Sequence, residues 1–208
     1  MAFCKLMIGS PRRQHLGSVV RLLVSMVCIL GVAVEPALAQ EIQLVRDTET
    51  ERLLIIEQPA ELKVAHKNAV RWEAVEEIPG QVAITPSELL AAALRHRPDR
   101  IIMGEIRNEC GYDLLQAMNT GHGGTLSTIH AKSAWDALNR LSNLALSARP
   151  NLNHAFMRSE TAEAIDFVLY CERDHTGRRR VRELITVSGY THADKSFQTE
   201  EVYRAAAA

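Results

Sequence analysis

The sequence predicts an α/β fold built on a largely parallel sheet, and three observations carry that expectation. Continuous apolar runs rich in branched residues recur at Arg52 to Ile56 and Arg100 to Ile106, the pattern of strands buried on both faces. Segments with helix-start signals and one apolar face alternate with them. Polar residues able to do chemistry fall at the predicted strand ends, where loops converge in such folds. The 208 residues are 47% hydrophobic and 24% charged, which excludes disordered and low-complexity classes. A net charge of -1 gives no overall attraction to nucleic acid or anionic lipid, so no direct nucleic-acid binding is expected. Cys4, Cys28, Cys110 and Cys171 lack CxxC spacing and read as free thiols.

Residues 1–40 stand apart from the body, 41–208. Lys5, Arg12, Arg13 and Arg21 precede an apolar run from Leu22 to Val34, and Ala37 to Ala39 form a small-residue site before Gln40. That is the order of a secretory signal peptide. Pro11 and the polar Gln14 and His15 fit a twin-arginine variant poorly. The run is shorter than the roughly 20 residues of a permanent membrane span. An ordinary buried helix is the plainer alternative, but the run is apolar all round and its cations cluster on one side only. The segment is expected to be signal-like or foreign to the fold.

In the body, Arg52 to Ile56 is the first predicted strand and Val70 to Ala74, which alternates, the second. Pro79 and Gly80 mark a turn. Thr85, Pro86 and Glu88 combine an N-cap, a proline in the first helical turn and a capping box, so a helix is expected from there to about His96. Pro98 ends it and Arg100 to Ile106 reads as a buried strand closing on Glu105. Glu109 to Asn119 predicts a helix closed by Gly121, and Gly124 to His130 a further strand. Ser133 and Asp136 open a helix whose inward face is expected to hold Trp135, Leu138, Leu141 and Leu144 or Ala145. Asn153 to Ala164 follows as a helix. Ile165 to Cys171, Arg180 to Val187 and Phe197 to Tyr203 are strand-like, with a turn at Asp174 to Gly177.

Three polar clusters sit at strand ends. Glu57 and Glu61, four apart, can bring a carboxylate to a water or a metal-bound phosphate, although the plainer reading keeps both as solvated turn residues. Glu105 can orient Mg²⁺ through water, or the attacking water itself, and Gly104 permits close backbone approach. Gly121 to Ala131 places His122 and His130 among small residues, where they can polarise a phosphate oxygen or simply be satisfied core and loop histidines. A zinc site from His122, His130 and Cys110 has the wrong histidine interval. Arg178, Arg179, Arg180 and Arg182 form the one dense basic run, read as a solvated hairpin tip rather than a nucleic-acid or acidic-partner contact.

Taken in order, Leu53 to Leu62, Leu94 to Arg107 and Thr120 to Ala131 resemble the type II/type IV secretion ATPase superfamily, most closely its conjugative-transfer and Flp-type pilus assembly members. In that family the three stretches are the acidic Asp box, an atypical Walker B ending in glycine-glutamate, and the His box. Asp113 to Gly121, Thr176 to Arg179 and Val187 to Tyr190 extend the likeness across about residues 44 to 205.

The resemblance implies a RecA-like P-loop NTPase core with a mostly parallel sheet, ATP and Mg²⁺ as cofactors, and work within a homo- or hetero-hexamer. Inner-membrane secretion or pilus assembly proteins are the implied partners, at the cytoplasmic face of a bacterial membrane. It implies that Glu61 helps activate water, that Glu105 acts at Mg²⁺ and the γ-phosphate, and that Glu57 belongs to the nucleotide-binding set. His122 and His130 would sense phosphate or a neighbouring subunit, and Arg95, Arg97 and Arg107 would reach across to another subunit.

Two features depart from the family. Gln58 stands where an aspartate is usual after the Asp-box glutamate. No GxxxxGK[ST] loop occurs, and no glycine is followed by lysine anywhere. The expectation is a secretion ATPase truncated on its N-terminal side, inactive alone, with exposed apolar sheet edges. A non-catalytic subunit of a mixed hexamer and an exported protein are the alternatives.

Overall fold

The computed structural model describes residues 5–9, there as backbone alone, and 50–205 apart from 63, 65, 77, 81, 108 and 109. The apolar run at Leu22 to Val34 and the expected cleavage site before Gln40 lie outside the described residues.

Among the described residues eight strands form one sheet. In chain order they are β1 (Lys5–Gly9), β2 (Leu53–Glu57), β3 (Ala69–Glu73), β4 (Arg100–Met103), β5 (Leu126–Ile129), β6 (Ile165–Arg173), β7 (Arg179–Thr191) and β8 (Ser196–Arg204). The spatial order is β3-β2-β4-β5-β1-β6-β7-β8. Strands β3, β2, β4 and β5 are mutually parallel, with Leu53 opposite both Ala69 and Arg100, and Ile102 opposite Leu126. The remaining pairings are antiparallel, and β6, β7 and β8 form a meander. The parallel half is the one the apolar runs predicted. The β6-β7-β8 meander follows from its short turns, because a connection like Asp174 to Gly177 can reverse a strand but cannot carry it across for parallel pairing.

Backbone of Lys5–Gly9 bridges β5 and β6, pairing with Ile129 to Leu126 on one side and Tyr170 to Ile165 on the other. A strand between two others satisfies the backbone donors and acceptors of both.

Among the described residues four helices pack on the sheet: α1 (Pro86–Ala93), extended by a 3₁₀ turn to His96, α2 (Cys110–Asn119), α3 (Ala134–Ala148) and α4 (His154–Ala164). The cap of α1 is as predicted. Thr85 Oγ1 accepts from the Glu88 amide at 3.2 Å while Glu88 Oε2 accepts from the Thr85 amide at 2.8 Å. The Thr85 amide, and then the Thr85 hydroxyl donating to the same oxygen at 2.9 Å, hold the Glu88 carboxyl below its usual range. Ser133 and Asn153 cap α3 and α4.

Alternation along the strands sends Leu54, Ile56, Ile101, Met103 and Ile129 into one core with Leu90, Leu114, Leu138, Leu141 and Met157 from the four helices. Trp135 does not join them. The buried stripe of α3 runs through Ala134, Ala137, Leu138, Leu141 and Ala145, and Trp135, about 100° round from Ala134, is left 46% exposed. Leu144 is partly buried against the core.

The β6–β7 turn forms as expected. Asp174 accepts from the Thr176 hydroxyl at 2.6 Å, the Thr176 and Arg178 amides, and Arg180 Nε at 2.7 Å. These contacts, the Thr176 hydroxyl first, hold its carboxyl far below the ordinary range. Arg182 is paired with Glu172 at 2.6 Å, so two arginines of the basic run are engaged within the hairpin.

Candidate functional site

Strands β2 and β4 end side by side and place two carboxylates at the carboxyl edge of the parallel sheet. Glu57 closes β2 and is 5% exposed, so it is not the solvated turn residue of the plainer reading. Its Oε1 accepts both the Glu61 amide at 2.9 Å and the Leu62 amide at 2.7 Å, tying the following loop back onto the strand end. Arg71, from β3, clamps the same loop by donating to the carbonyls of Leu62 and Val64. Arg71 was not singled out from sequence; the alternating stretch from Val70 to Ala74 marked only a strand. Glu61 is exposed, as the plainer reading has it, and its backbone position is set by Glu57.

Glu105 leaves β4 through Gly104. The Gly104 amide donates to the Ile56 carbonyl at 2.8 Å, and a Cβ at Gly104 would lie 3.3 Å from Glu57 Cγ. The close approach that glycine permits here is to Glu57 itself. Glu105 Oε1 lies 3.2 Å from His130 Nε2, and Oε2 lies 2.8 Å from Arg107 Nε and 2.6 Å from its Nη2. The structure thus brings Glu105, His130 and Arg107 together, three candidates from two separate motifs. The hydrogen bond that Arg107 donates to Glu105, and then the charge of Glu105, raise the Arg107 pKa, with Glu61 and Glu76 adding smaller attractions. Glu61 therefore lies within electrostatic reach of the cluster. All three cluster members are partly open to solvent.

Two further residues hold this arrangement. The Ile106 amide donates to the Thr128 carbonyl at 2.8 Å, and Thr128 Oγ1 donates to the Gly104 carbonyl. Thr128 is 5% exposed and lies on β5 two residues before His130. The sequence showed it only as a strand residue.

His122 is elsewhere. It lies in the loop between α2 and β5, before the first strand residue, whereas His130 follows the last. Four strand residues at about 3.3 Å each put roughly 13 Å of sheet between the two. Gly121, at φ 110°, closes α2 as predicted, and Thr125 Oγ1 donates to the His122 carbonyl at 2.7 Å. His122 Nδ1 is buried without a hydrogen-bond partner among the described residues. Arg95 and Arg97 are exposed, and Arg97 precedes the start of β4, the end away from Glu105. Neither makes an ion pair among the described residues.

The same amino-terminal edge has a tight contact. Gly124 has φ 79°, and a Cβ there would come within 2.5 Å of Arg100 Nη1, whose guanidinium is held in a two-pronged pair with Glu51. Gly124→Ala is expected to cost about 2 kcal/mol of stability, read as a lower denaturation midpoint, because the left-handed backbone and the anchored arginine both oppose a methyl group.

Cys110 is buried in the core with its Sγ donating to the Arg107 carbonyl at 2.9 Å, and burial pushes its thiol pKa up. Among the described residues no group of three His, Cys, Asp or Glu side chains is arranged to hold a metal.

A family model described as "Type II/IV secretion system protein" matches residues 36–169. The chain is similar to the conjugal transfer protein TrbB of Rhizobium radiobacter, 38% identical over 158 residues that cover 76% of this chain and 45% of that protein. It is similar to the type IV secretion system protein VirB11 of Bartonella quintana, 31% identical over 138 residues covering 65% of this chain and 38% of that protein. Among solved structures, the VirB11 ATPase from the Brucella suis type IV secretion system, in complex with sulphate, matches with a TM-score of 0.59 at 27% identity, covering 79% of this chain and 50% of that one. The chain spans about half the length of the relatives it matches, or less.

Proposed function

The chain belongs to the type II/IV secretion system protein family, and from that premise we propose that it supplies the carboxylate and histidine side of an ATP-hydrolysing site in a secretion or conjugation motor. Its fold is the RecA-like α/β fold of that family. The observation that supports this reading most is the cluster at the carboxyl ends of β4 and β5, where Glu105 is held between His130 and Arg107. Ligands of open α/β sheets bind at that edge.

In this reading Glu105 takes or orients the proton of the attacking water, and Glu61, exposed and with its amide held by Glu57, assists from the neighbouring loop. Glu57 acts through that loop, since its Oε1 holds the Glu61 and Leu62 amides. His130 reports on the phosphate through its contact with Glu105. Arg107 neutralises Glu105 until a phosphate or another subunit draws it away, which sets the carboxylate free.

ATP and Mg²⁺ are implied by the family. The residues present fit one side of such a site: Glu105 offers hard oxygen atoms suited to a Mg²⁺-bound water. When bound, Mg²⁺ would supply neutralisation of phosphate charge. The 208 residues contain no GxxxxGK[ST] loop to hold the phosphates themselves, so the chain alone is read as inactive.

Arg95, Arg97 and His122 lie at the opposite edge of the sheet and are assigned to contacts with a neighbouring subunit of a homo- or hetero-hexamer. The motor would sit at the cytoplasmic face of a bacterial inner membrane with secretion or pilus assembly proteins. No described helix is long and apolar enough to cross a membrane.

The test is ATP turnover and co-purification of the chain, alone and mixed with a full-length family member that carries a GK[ST] loop. No turnover alone, with joint assembly in the mixture, is expected. Turnover by the chain alone, or failure to assemble with any such member, sinks the proposal.

A further inference from the structure

Glu105 lies outside any strand, on a loop whose direction nothing in its own sequence enforces. Yet its carboxylate reaches His130, a residue on a different strand's exit, at 3.2 Å. Three hydrogen bonds to its backbone, one of them from a side chain, decide where that loop goes. The Gly104 amide donates to the Ile56 carbonyl at 2.8 Å. The Gly104 carbonyl accepts from the Thr128 hydroxyl, and the Ile106 amide donates to the Thr128 carbonyl at 2.8 Å. One residue therefore grips the peptide group immediately before Glu105 and the one immediately after it.

We propose that Thr128 is a positioning residue that fixes the distance and angle between Glu105 and His130 through its paired bonds to Gly104 and Ile106. The inference rests on the reading of Glu105 as the hydrolytic carboxylate, and it adds how that carboxylate is aimed.

The geometry accounts for the residue type. Thr128 is 5% exposed, so its hydroxyl needs a partner within the protein, and the Gly104 carbonyl is that partner. Its β-branched side chain has few rotamers and sits in a strand at little cost, which keeps the hydroxyl in one direction. His130 leaves the same strand two residues later, so whatever holds Thr128 also holds the backbone from which His130 projects. On the other side of Gly104, Glu57 Cγ leaves only 3.3 Å for an added Cβ. The Gly104 to Ile106 stretch is thus bounded by Glu57 on one flank and bonded to Thr128 on the other.

Thr128→Val keeps shape and volume while removing only the hydroxyl, and Thr128→Ser keeps the hydroxyl. Amide exchange followed by mass spectrometry, on the chain in whatever assembly it forms, reads the peptide spanning residues 103–107. Thr128→Val is expected to speed exchange there about tenfold, with peptides from β2 and β6 unchanged, and Thr128→Ser to restore it to within about twofold. Unchanged exchange in Thr128→Val overturns the proposal. So does acceleration spread equally over β2 and β6, which would mark general support rather than aim, or a Thr128→Ser variant as fast as Thr128→Val. In a mixed assembly that hydrolyses ATP, Thr128→Val should lower kcat about tenfold and leave KM unchanged. If Glu105→Gln there leaves turnover intact, the hydrolytic reading fails, while the exchange result still judges the clamp on its own.

Discussion

Glu57→Ala is expected to lower the unfolding free energy by about 3–5 kcal/mol, a large share of the roughly 5–15 kcal/mol typical of a folded domain. The carboxylate is 5% exposed and is the acceptor for two amides, those of Glu61 and Leu62. Bonds to a charged acceptor contribute about 1.5–3 kcal/mol each, and the Leu62 amide, at a buried residue, has no water to turn to when the acceptor is deleted. Alanine also empties the space beside Gly104, where the Glu57 side chain packs. Glu57→Gln separates charge from acceptor. Both bonds end on Oε1, which an amide carbonyl reproduces, so glutamine is expected to cost only about 1 kcal/mol. Chemical denaturation at neutral pH measures both. An alanine variant within about 1 kcal/mol of the parent would show that Glu57 does not organise the loop, and would return it to direct contact with the nucleotide.

The second expected result concerns Glu105. In an assembly where a family member supplies the phosphate loop, Glu105→Gln in this chain should lower the turnover of the sites it completes at least 100-fold while assembly stays intact. Glutamine matches glutamate in shape and its carbonyl can still accept from Arg107 or His130, so the local fold has no reason to change. What it lacks is the negative charge and the basicity that draw a proton from water. Arg107→Gln makes the informative companion. It removes the guanidinium that occupies Glu105 Oε2, leaving His130 on Oε1. If Arg107 only restrains Glu105, that variant keeps turnover; if Arg107 reaches across to a neighbouring site, it loses it. Turnover unaffected by Glu105→Gln, in an assembly shown to contain the variant, would remove Glu105 from the chemistry.

Much of the fold was legible because its signals are local. A capping box needs four residues, and Thr85 to Glu88 form one as read. Buried parallel strands announce themselves by continuous branched apolar runs; β2 lies where its run lies, and β4 begins with its run at Arg100 but ends at Met103, short of the expected Ile106. The turn from Asp174 to Gly177 likewise follows from residues that bond to their own backbone. Trp135 was misplaced for a related reason. Residues three and four apart share a face, so both Trp135 and Ala134 lead plausibly to Leu138, and only packing against the sheet selects the stripe that contains the alanine.

The site divides along the same line. The apolar runs and the motif stretches were properties of the chain read in one dimension, and they sufficed for the α/β class, for the resemblance to the family and for the identity of the polar residues at strand ends. Which of those residues meet was settled only by the sheet. Parallel pairing of β4 with β5 carries Glu105 and His130, twenty-five residues apart in sequence, to one edge, and the length of β5 carries His122 to the other. The burial of Glu57 was likewise invisible in its sequence neighbours, because it depends on Gly104 arriving from β4 and on a loop folding back to offer two amides. Local backbone chemistry acts over a few residues and is written in their order; side-chain proximity across strands depends on register and strand length, which exist only once the sheet has formed.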